Sequence, residues 1–179
     1  MYGLPHQTSA TFAATLDTVL ALQPDRLAVF NYAHLPQIFK HQRLIQDTWL
    51  PAPEEKLQLL KLSIETLTAS DYVYIGMDHF AKPDNELALA MQQGTLYRNF
   101  QGYSTHAGLN LIALGMSSIS MLSSLYVQNH KTLAEYYQAL DSGVLPTLRG
   151  VELTEDDRLR REVIVELMCN FVLKKARIE

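Results

Sequence analysis

Apolar positions recur along this chain with two alternating periods. Thr8 or Ser9 can cap a helix, and Phe12, Leu16, Val19 and Leu20 then return at helical spacing until Gln23-Pro24-Asp25 breaks the pattern, which predicts a short helix ending near residue 22. Arg26-Leu-Ala-Val-Phe30 is a compact apolar run of strand length between Pro24 and Asn31. From Pro36 to Pro53 no period holds, and this stretch, with Trp49 near its end, reads as a long ordered loop. Pro53-Glu54-Glu55 opens a second helix, because proline is tolerated in a first turn and carboxylates favour the positive helix end. Its expected buried stripe is Leu57, Leu60, Ile64 and Leu67, and it should stop near Ser70. Tyr72-Val-Tyr-Ile75, aromatic and β-branched, predicts a strand ended by Gly76.

The second half continues the alternation. Pro83-Asp-Asn-Glu86 starts a short helix through Ala90 and Met91, with Gly94 as its stop. Tyr97 to Gly108 is rich in aromatic, amide and hydroxyl groups; Leu109 to Leu114 reads as a strand before Gly115, and Met116-Ser-Ser-Ile-Ser120 as a loop facing a site. Lys131 to Leu140 is an amphipathic helix and Leu148 to Leu153 a strand, and Thr154-Glu-Asp-Asp157 caps and charges the start of the last helix. Helices exchanging with strands in this way predict an α/β architecture. The turn residues Gly3 and Pro5 stand directly at the start, and the run Val163, Ile164, Leu167, Met168, Phe171 passes into residues 174–179 without a capping glycine or proline. Both ends therefore read as cut, as expected of a fragment.

Composition narrows the function classes. With 179 residues and 47% hydrophobic content the chain can bury one sizeable core, and a single domain is the default. Fifteen basic residues against nineteen acidic ones, a net charge of -4 with signs interspersed, supply no basic field for nucleic acid or an anionic membrane. No run approaches the roughly 18 apolar residues of a spanning helix, and no signal peptide is visible, so a soluble cytoplasmic protein is expected. The single cysteine, Cys169, excludes an internal disulfide framework and a four-cysteine metal site, and its neighbours Leu167, Met168 and Phe171 mark it as a buried thiol.

Taken residue by residue, the chain carries little local chemistry. Asp78-His79 after a strand suits an acid/base or metal pair, or equally two side chains satisfying loop backbone. None of the six histidines stands in metal-ligand spacing, and no protein-only metal site is expected. Neither a Gly-x-Gly-x-x-Gly run nor a phosphate-loop lysine is present, and Ser117, Ser118 and Ser120 lack a nucleophile-elbow context.

Six longer runs point further: Tyr2-Gly-Leu-Pro5, Phe30-Asn-Tyr-Ala-His-Leu-Pro36, Ile75-Gly-Met-Asp-His-Phe-Ala81, Arg98-Asn-Phe-Gln-Gly-Tyr103, Ile112-Ala-Leu-Gly-Met-Ser-Ser-Ile-Ser120 and Asp156-Asp-Arg-Leu-Arg-Arg161. Their content and order resemble oxygen-independent coproporphyrinogen III oxidase, a radical S-adenosylmethionine enzyme of haem biosynthesis. The resemblance implies the later strands and helices of a partial (β/α) radical-SAM barrel with its extension over residues 1–153, and the start of a helical C-terminal domain over 154–179. It departs at Asn110, where the family usually has Asp, and the run His106-Ala-Gly-Leu109 is looser than the family's.

In such enzymes a Cys-x3-Cys-x2-Cys run holds a [4Fe-4S] cluster; one S-adenosylmethionine chelates it and a second binds beside it. A 5′-deoxyadenosyl radical takes a hydrogen from a propionate of coproporphyrinogen III, which loses carbon dioxide to become vinyl; two propionates are processed, giving protoporphyrinogen IX. That cysteine run is missing here, so the chain alone is expected to be inactive. The parent is expected to be a monomer using an electron donor, and its catalytic residues are unknown. The family's contact to the second S-adenosylmethionine falls on Ala33 and its contact to the first on Ile119; taken alone, both residues read as ordinary core positions. For the substrate, a wide apolar ring with carboxylates, Arg98 among Tyr97, Phe100 and Tyr103 is the candidate cation, with an ordinary ion pair as the alternative. Rival readings are a non-catalytic haem- or porphyrin-binding relative, and a structural fragment that self-associates through unpaired strand edges.

Overall fold

Each helix forms where the sequence supplies a start. In the computed structural model, which describes residues 1–173, Thr8 caps α1 (Ser9–Ala21) reciprocally with Thr11, each side chain meeting the other's backbone N–H. Pro53 occupies the first turn of α2 (Pro53–Ala69), followed by Glu54 and Glu55. α2 buries Leu59, Ser63 and Leu67, with Leu60 and Ile64 packed half-buried against the same core, so that of the expected stripe only Leu57, 67% exposed, faces away. Ser63, outside the expected stripe, is tolerated in the core because it donates its hydroxyl to the Leu59 carbonyl at 2.8 Å. Between α1 and α2 lie β1 (Arg26–Ala28), shorter than the expected run to Phe30, and the loop 36–53, tightened by two 3-10 turns at Lys40–Leu44 and Asp47–Trp49. β2 (Val73–Gly76) and β3 (His79–Ala81) follow, and the order β1-β3-β2 is antiparallel throughout.

The chain divides into two compact units, Met1–Leu89 and the part from Ala90 onward. The first closes on Phe12, Leu16, Leu59, Leu67, Tyr72 and Phe80. Full burial of one such side chain contributes about 2 kcal/mol. Tyr2 reaches this core because its N–H donates to Phe30 O at 2.9 Å while its carbonyl accepts from Tyr32 at 2.7 Å, a parallel bridge to Asn31. Gly3 is required beside it: its φ is +80°, and a Cβ there would stand 2.8 Å from the Asn31 amide oxygen.

α3 (Glu86–Gln92) ends before Gly94, as its sequence predicts. In the second unit β4 (Tyr97–Asn99) and β5 (Gly102–Ser104) form a hairpin where no element was expected. The expected strand Leu109–Leu114 is not formed. Leu111 alone bridges to Met121, and the strand is instead β6 (Ile119–Met121), which begins inside the segment 116–120 read as a loop. Gly115, at φ +99°, breaks the chain between them. β6 pairs with β7 (Leu125–Asn129), also absent from the sequence reading, and β7 with β8 (Thr147–Glu152), all antiparallel. α4 (Leu133–Asp141) precedes β8. α5 (Glu155–Asn170) starts at a Thr154–Asp157 capping box, with Glu155, Asp156 and Asp157 in its first turn. It stops at Phe171, whose left-handed φ of 56° does the work expected of glycine. The expected continuation into residues 174–179 lies outside the described residues.

Candidate functional site

In the first unit the chain leaving β1 carries Ala33. Ala33 is exposed and held from behind: Gln42, only 8% exposed, donates from Nε2 to the Ala33 carbonyl at 3.1 Å and accepts the Leu35 N–H on Oε1 at 2.5 Å. One amide thereby fixes the turn Ala33–Leu35 from inside and leaves the Ala33 side chain outward. Gln42 sits in a stretch without periodicity, so nothing in the sequence singled it out. Nearby, Asp78 Oδ1 and His79 Nδ1 are 2.7 Å apart, and the His79 ring meets Phe30 edge-on at 6.0 Å. The Asp78 backbone carbonyl also accepts Val29 N–H at 2.7 Å, so this pair serves loop architecture as well as offering an imidazole-carboxylate couple.

In the second unit the β4–β5 register sets Arg98 opposite Tyr103, with the guanidinium carbon 5.6 Å from the ring centroid. Tyr103 is anchored in turn, its hydroxyl donating to the Met168 carbonyl of α5 at 3.0 Å. The Arg98 Nε is buried without a hydrogen-bond partner, a cost that a ligand acceptor would remove. Cys169, fully buried, has its thiol pushed up to about 11, chiefly by burial and against a smaller opposing pull from Arg98.

The β6-β7-β8 register places Ile119, Gln128 and Arg149 in one row, and Met121, Tyr126 and Val151 in the next row of the same face. Phe100 stands edge-on to Tyr126 at 5.1 Å and 86°. Over the first row lies a cavity of about 330 Å³ lined by Ile119, Phe100, Tyr126, Gln128 and Arg149. A second, of about 490 Å³, shares Phe100, Tyr126 and Val151 with it and runs on past Arg98 to Arg160, Arg161 and Met168. The two form one groove with an aromatic floor and arginines along it, and Asp157 is the carboxylate on its wall. Arg160 is already occupied by Asp156 at 2.6 Å, and Arg161 reaches the Ser123 carbonyl at 3.3 Å. Arg98, Tyr103 and Ile119 thus lie in one unit, Arg98 and Ile119 both along this groove, while Ala33 belongs to the other. Tyr126 and Gln128 were missed because β7 went unread, with the β-prone Leu125-Tyr-Val127 as the available signal, and Arg149, on the expected strand β8, because its row partner Gln128 lies on β7.

Comparison with known proteins places this geometry. No protein-family model matches the chain. Oxygen-independent coproporphyrinogen III oxidase of Escherichia coli (strain K12) is 54% identical over 179 residues, all of this chain and 39% of that protein. The oxidase of the same name from Pseudomonas aeruginosa is 53% identical, again over the whole chain and 39% of the relative. Over its whole length the chain corresponds to a stretch of the oxygen-independent coproporphyrinogen III oxidases. A solved structure described as coproporphyrinogen III oxidase (HemN) from Escherichia coli, a radical SAM enzyme, superposes with a TM-score of 0.95 at 53% identity, covering 99% of this chain and 41% of that one. The mixed α/β fold is therefore that of the corresponding later stretch of the radical SAM oxidase, and the chain spans about two fifths of the length of the relatives it matches.

A [4Fe-4S] cluster does not fit the residues of this chain. Its one thiol is buried and held protonated, and among the described residues no three His, Cys, Asp or Glu side chains are grouped to hold a metal. Ile119, half-buried on β6, offers an apolar side chain of the kind that packs on an adenine face. Among the described residues no helix is long and apolar enough to cross a membrane.

Proposed function

We propose that this chain forms the substrate- and nucleoside-facing part of an oxygen-independent coproporphyrinogen III oxidase, the parent protein converting coproporphyrinogen III to protoporphyrinogen IX by oxidative decarboxylation of two propionates. One observation carries the reading: an apolar, aromatic-floored groove edged by arginines coincides with the stretch shared at 54% identity with an oxidase of that name. S-adenosylmethionine, when bound, supplies the radical chemistry, and the cluster that cleaves it is held outside this chain, which by itself is inactive. Two molecules of the cofactor are used, with Ala33 contacting the second and Ile119 the first: the outward methyl at Ala33 lets a ribose or adenine approach the backbone, and Ile119 packs on an adenine face. Arg98, steadied by Tyr103, receives a substrate carboxylate through its buried, unpartnered Nε edge. Residues 1–153 belong to the barrel and its extension, and 154–179 begin the helical C-terminal domain. The parent works in the cytoplasm as a monomer and takes electrons from a separate donor.

Exchanging the matching stretch of the Escherichia coli oxidase for this chain tests the proposal. Anaerobic formation of protoporphyrinogen IX by the chimera is expected, and a folded, cluster-loaded chimera without activity refutes it. In the same chimera, Arg98→Ala should weaken binding of coproporphyrinogen III by roughly tenfold or more while leaving S-adenosylmethionine binding within about twofold, the loss expected for one charge-assisted contact. Equal effects on both ligands would remove Arg98 from the substrate site.

A further inference from the structure

The groove contains a second cation whose surroundings differ from those of Arg98. Arg149 lies on β8 in the Ile119–Gln128–Arg149 row, and its Nε donates to the Gln128 amide oxygen at 3.0 Å. Gln128 is itself held, its Nε2 donating to the Ser117 carbonyl at 3.0 Å. The guanidinium is therefore oriented by a neutral amide, which steers it without cancelling its charge. None of the residues lining the cavity around it carries a negative charge: they are Ile119, Phe100, Tyr126, Val127, Gln128, Gly150 and Val151. Compare Arg160, whose Nε is taken by the Asp156 carboxylate at 2.6 Å. An arginine fixed through Nε keeps both Nη groups for bidentate contact with a carboxylate, and Arg149, exposed on β8, presents them to an arriving ligand.

We propose that Arg149, positioned by Gln128, is a second carboxylate anchor at the β8 edge of the groove, across β7 from Ile119, so that a planar apolar ligand lying beside Phe100 and Tyr126 is held at separate edges by Arg98 and Arg149. This rests on the substrate reading given above and extends it to a residue selecting ligands with carboxylates on more than one edge. Arg149 acts on the ligand by contact; Gln128 is a positioning residue acting through it.

Coproporphyrin III, the stable fluorescent tetracarboxylate, and its tetramethyl ester are the probes, titrated into the full chain in one buffer with dilute nonionic detergent. Arg149→Gln should weaken the free acid by roughly tenfold and leave the ester within about twofold, as for one lost charge-assisted contact. Arg149→Lys should fall between, because an ammonium keeps the charge without the fork. Gln128→Leu should reduce the preference for acid over ester by a smaller factor, a readout that mere loosening of the sheet would not move selectively. Arg158→Gln, an exposed α5 position away from the groove, controls for net charge. Equal weakening of acid and ester, or an unchanged affinity for the acid, overturns the assignment. So does an unaltered chain that binds neither probe, and activity of the chimera then judges the functional reading separately.

Discussion

Asn129 organises the approach to the groove, and its removal has a calculable effect. Its side chain, 8% exposed, ends β7 and donates from Nδ2 to the Gly115 carbonyl at 2.9 Å, to the Ala113 carbonyl at 3.3 Å and to Ser118 Oγ at 3.3 Å. One amide group thus gathers the turn that delivers the chain into β6 and so places Ile119. In Asn129→Leu the short bond is lost at a cost of about 1 kcal/mol, the two longer ones at about 0.5 kcal/mol each, together about 2 kcal/mol. For a chain of this size that corresponds to roughly 4–8 °C in melting temperature. Urea titration followed by far-ultraviolet dichroism gives the total, and hydrogen exchange locates it. Exchange should accelerate at the amides of Leu111, Ser117 and Met121, which bond to the Met121, His130 and Leu111 carbonyls, and stay unchanged at Phe12 on α1. A loss below about 0.5 kcal/mol, or acceleration spread evenly over both units, would refute the view that Asn129 holds this turn.

Two further expectations concern α5. Burial raises the Cys169 thiol to about 11, so the folded chain should resist a thiol-specific disulfide reagent at pH 8 and react stoichiometrically once unfolded in urea; rapid labelling of the native chain would contradict the burial. The Asp157 carboxyl lies below its ordinary 3.8 because the Thr154 hydroxyl and N–H both donate to it, at 2.7 and 3.0 Å. A depressed folded-state value stabilises above the unfolded value and is lost as pH falls through the folded one, so Asp157→Asn should destabilise α5 at pH 7 and converge on the unaltered chain as acidification protonates the folded Asp157 carboxyl. Melting curves at the two pH values check this; a difference that grows on acidification would reverse the sign.

Local signals along the sequence determined much of this protein. Thr8, Pro53 and Thr154 start helices wherever they stand before a periodic run, because capping and proline geometry act within one turn. The six motif runs likewise carried the family, since identity at specific positions needs no folding to be visible. Arg98 and Tyr103 were legible as a cluster because only four residues separate them and a tight hairpin does the rest.

Tertiary structure decided what depends on distant partners. β7 has a short, mixed pattern, and only pairing with β6 and β8 on both sides makes it a central strand. Leu109–Leu114 carries a stronger apolar pattern but finds a partner for Leu111 alone, so hydropathy favoured the wrong segment. α2 adds Ser63 to its buried face because a hydroxyl can satisfy itself on its own helix, which no hydropathy scale registers. Gln42 behind Ala33, Gln128 behind Arg149 and Asn129 beneath the Ile119 turn are neutral amides in unremarkable sequence. Their role comes from the carbonyls and N–H groups that the folded chain brings to them, and that pairing exists only after separations of seven residues or more have closed into place.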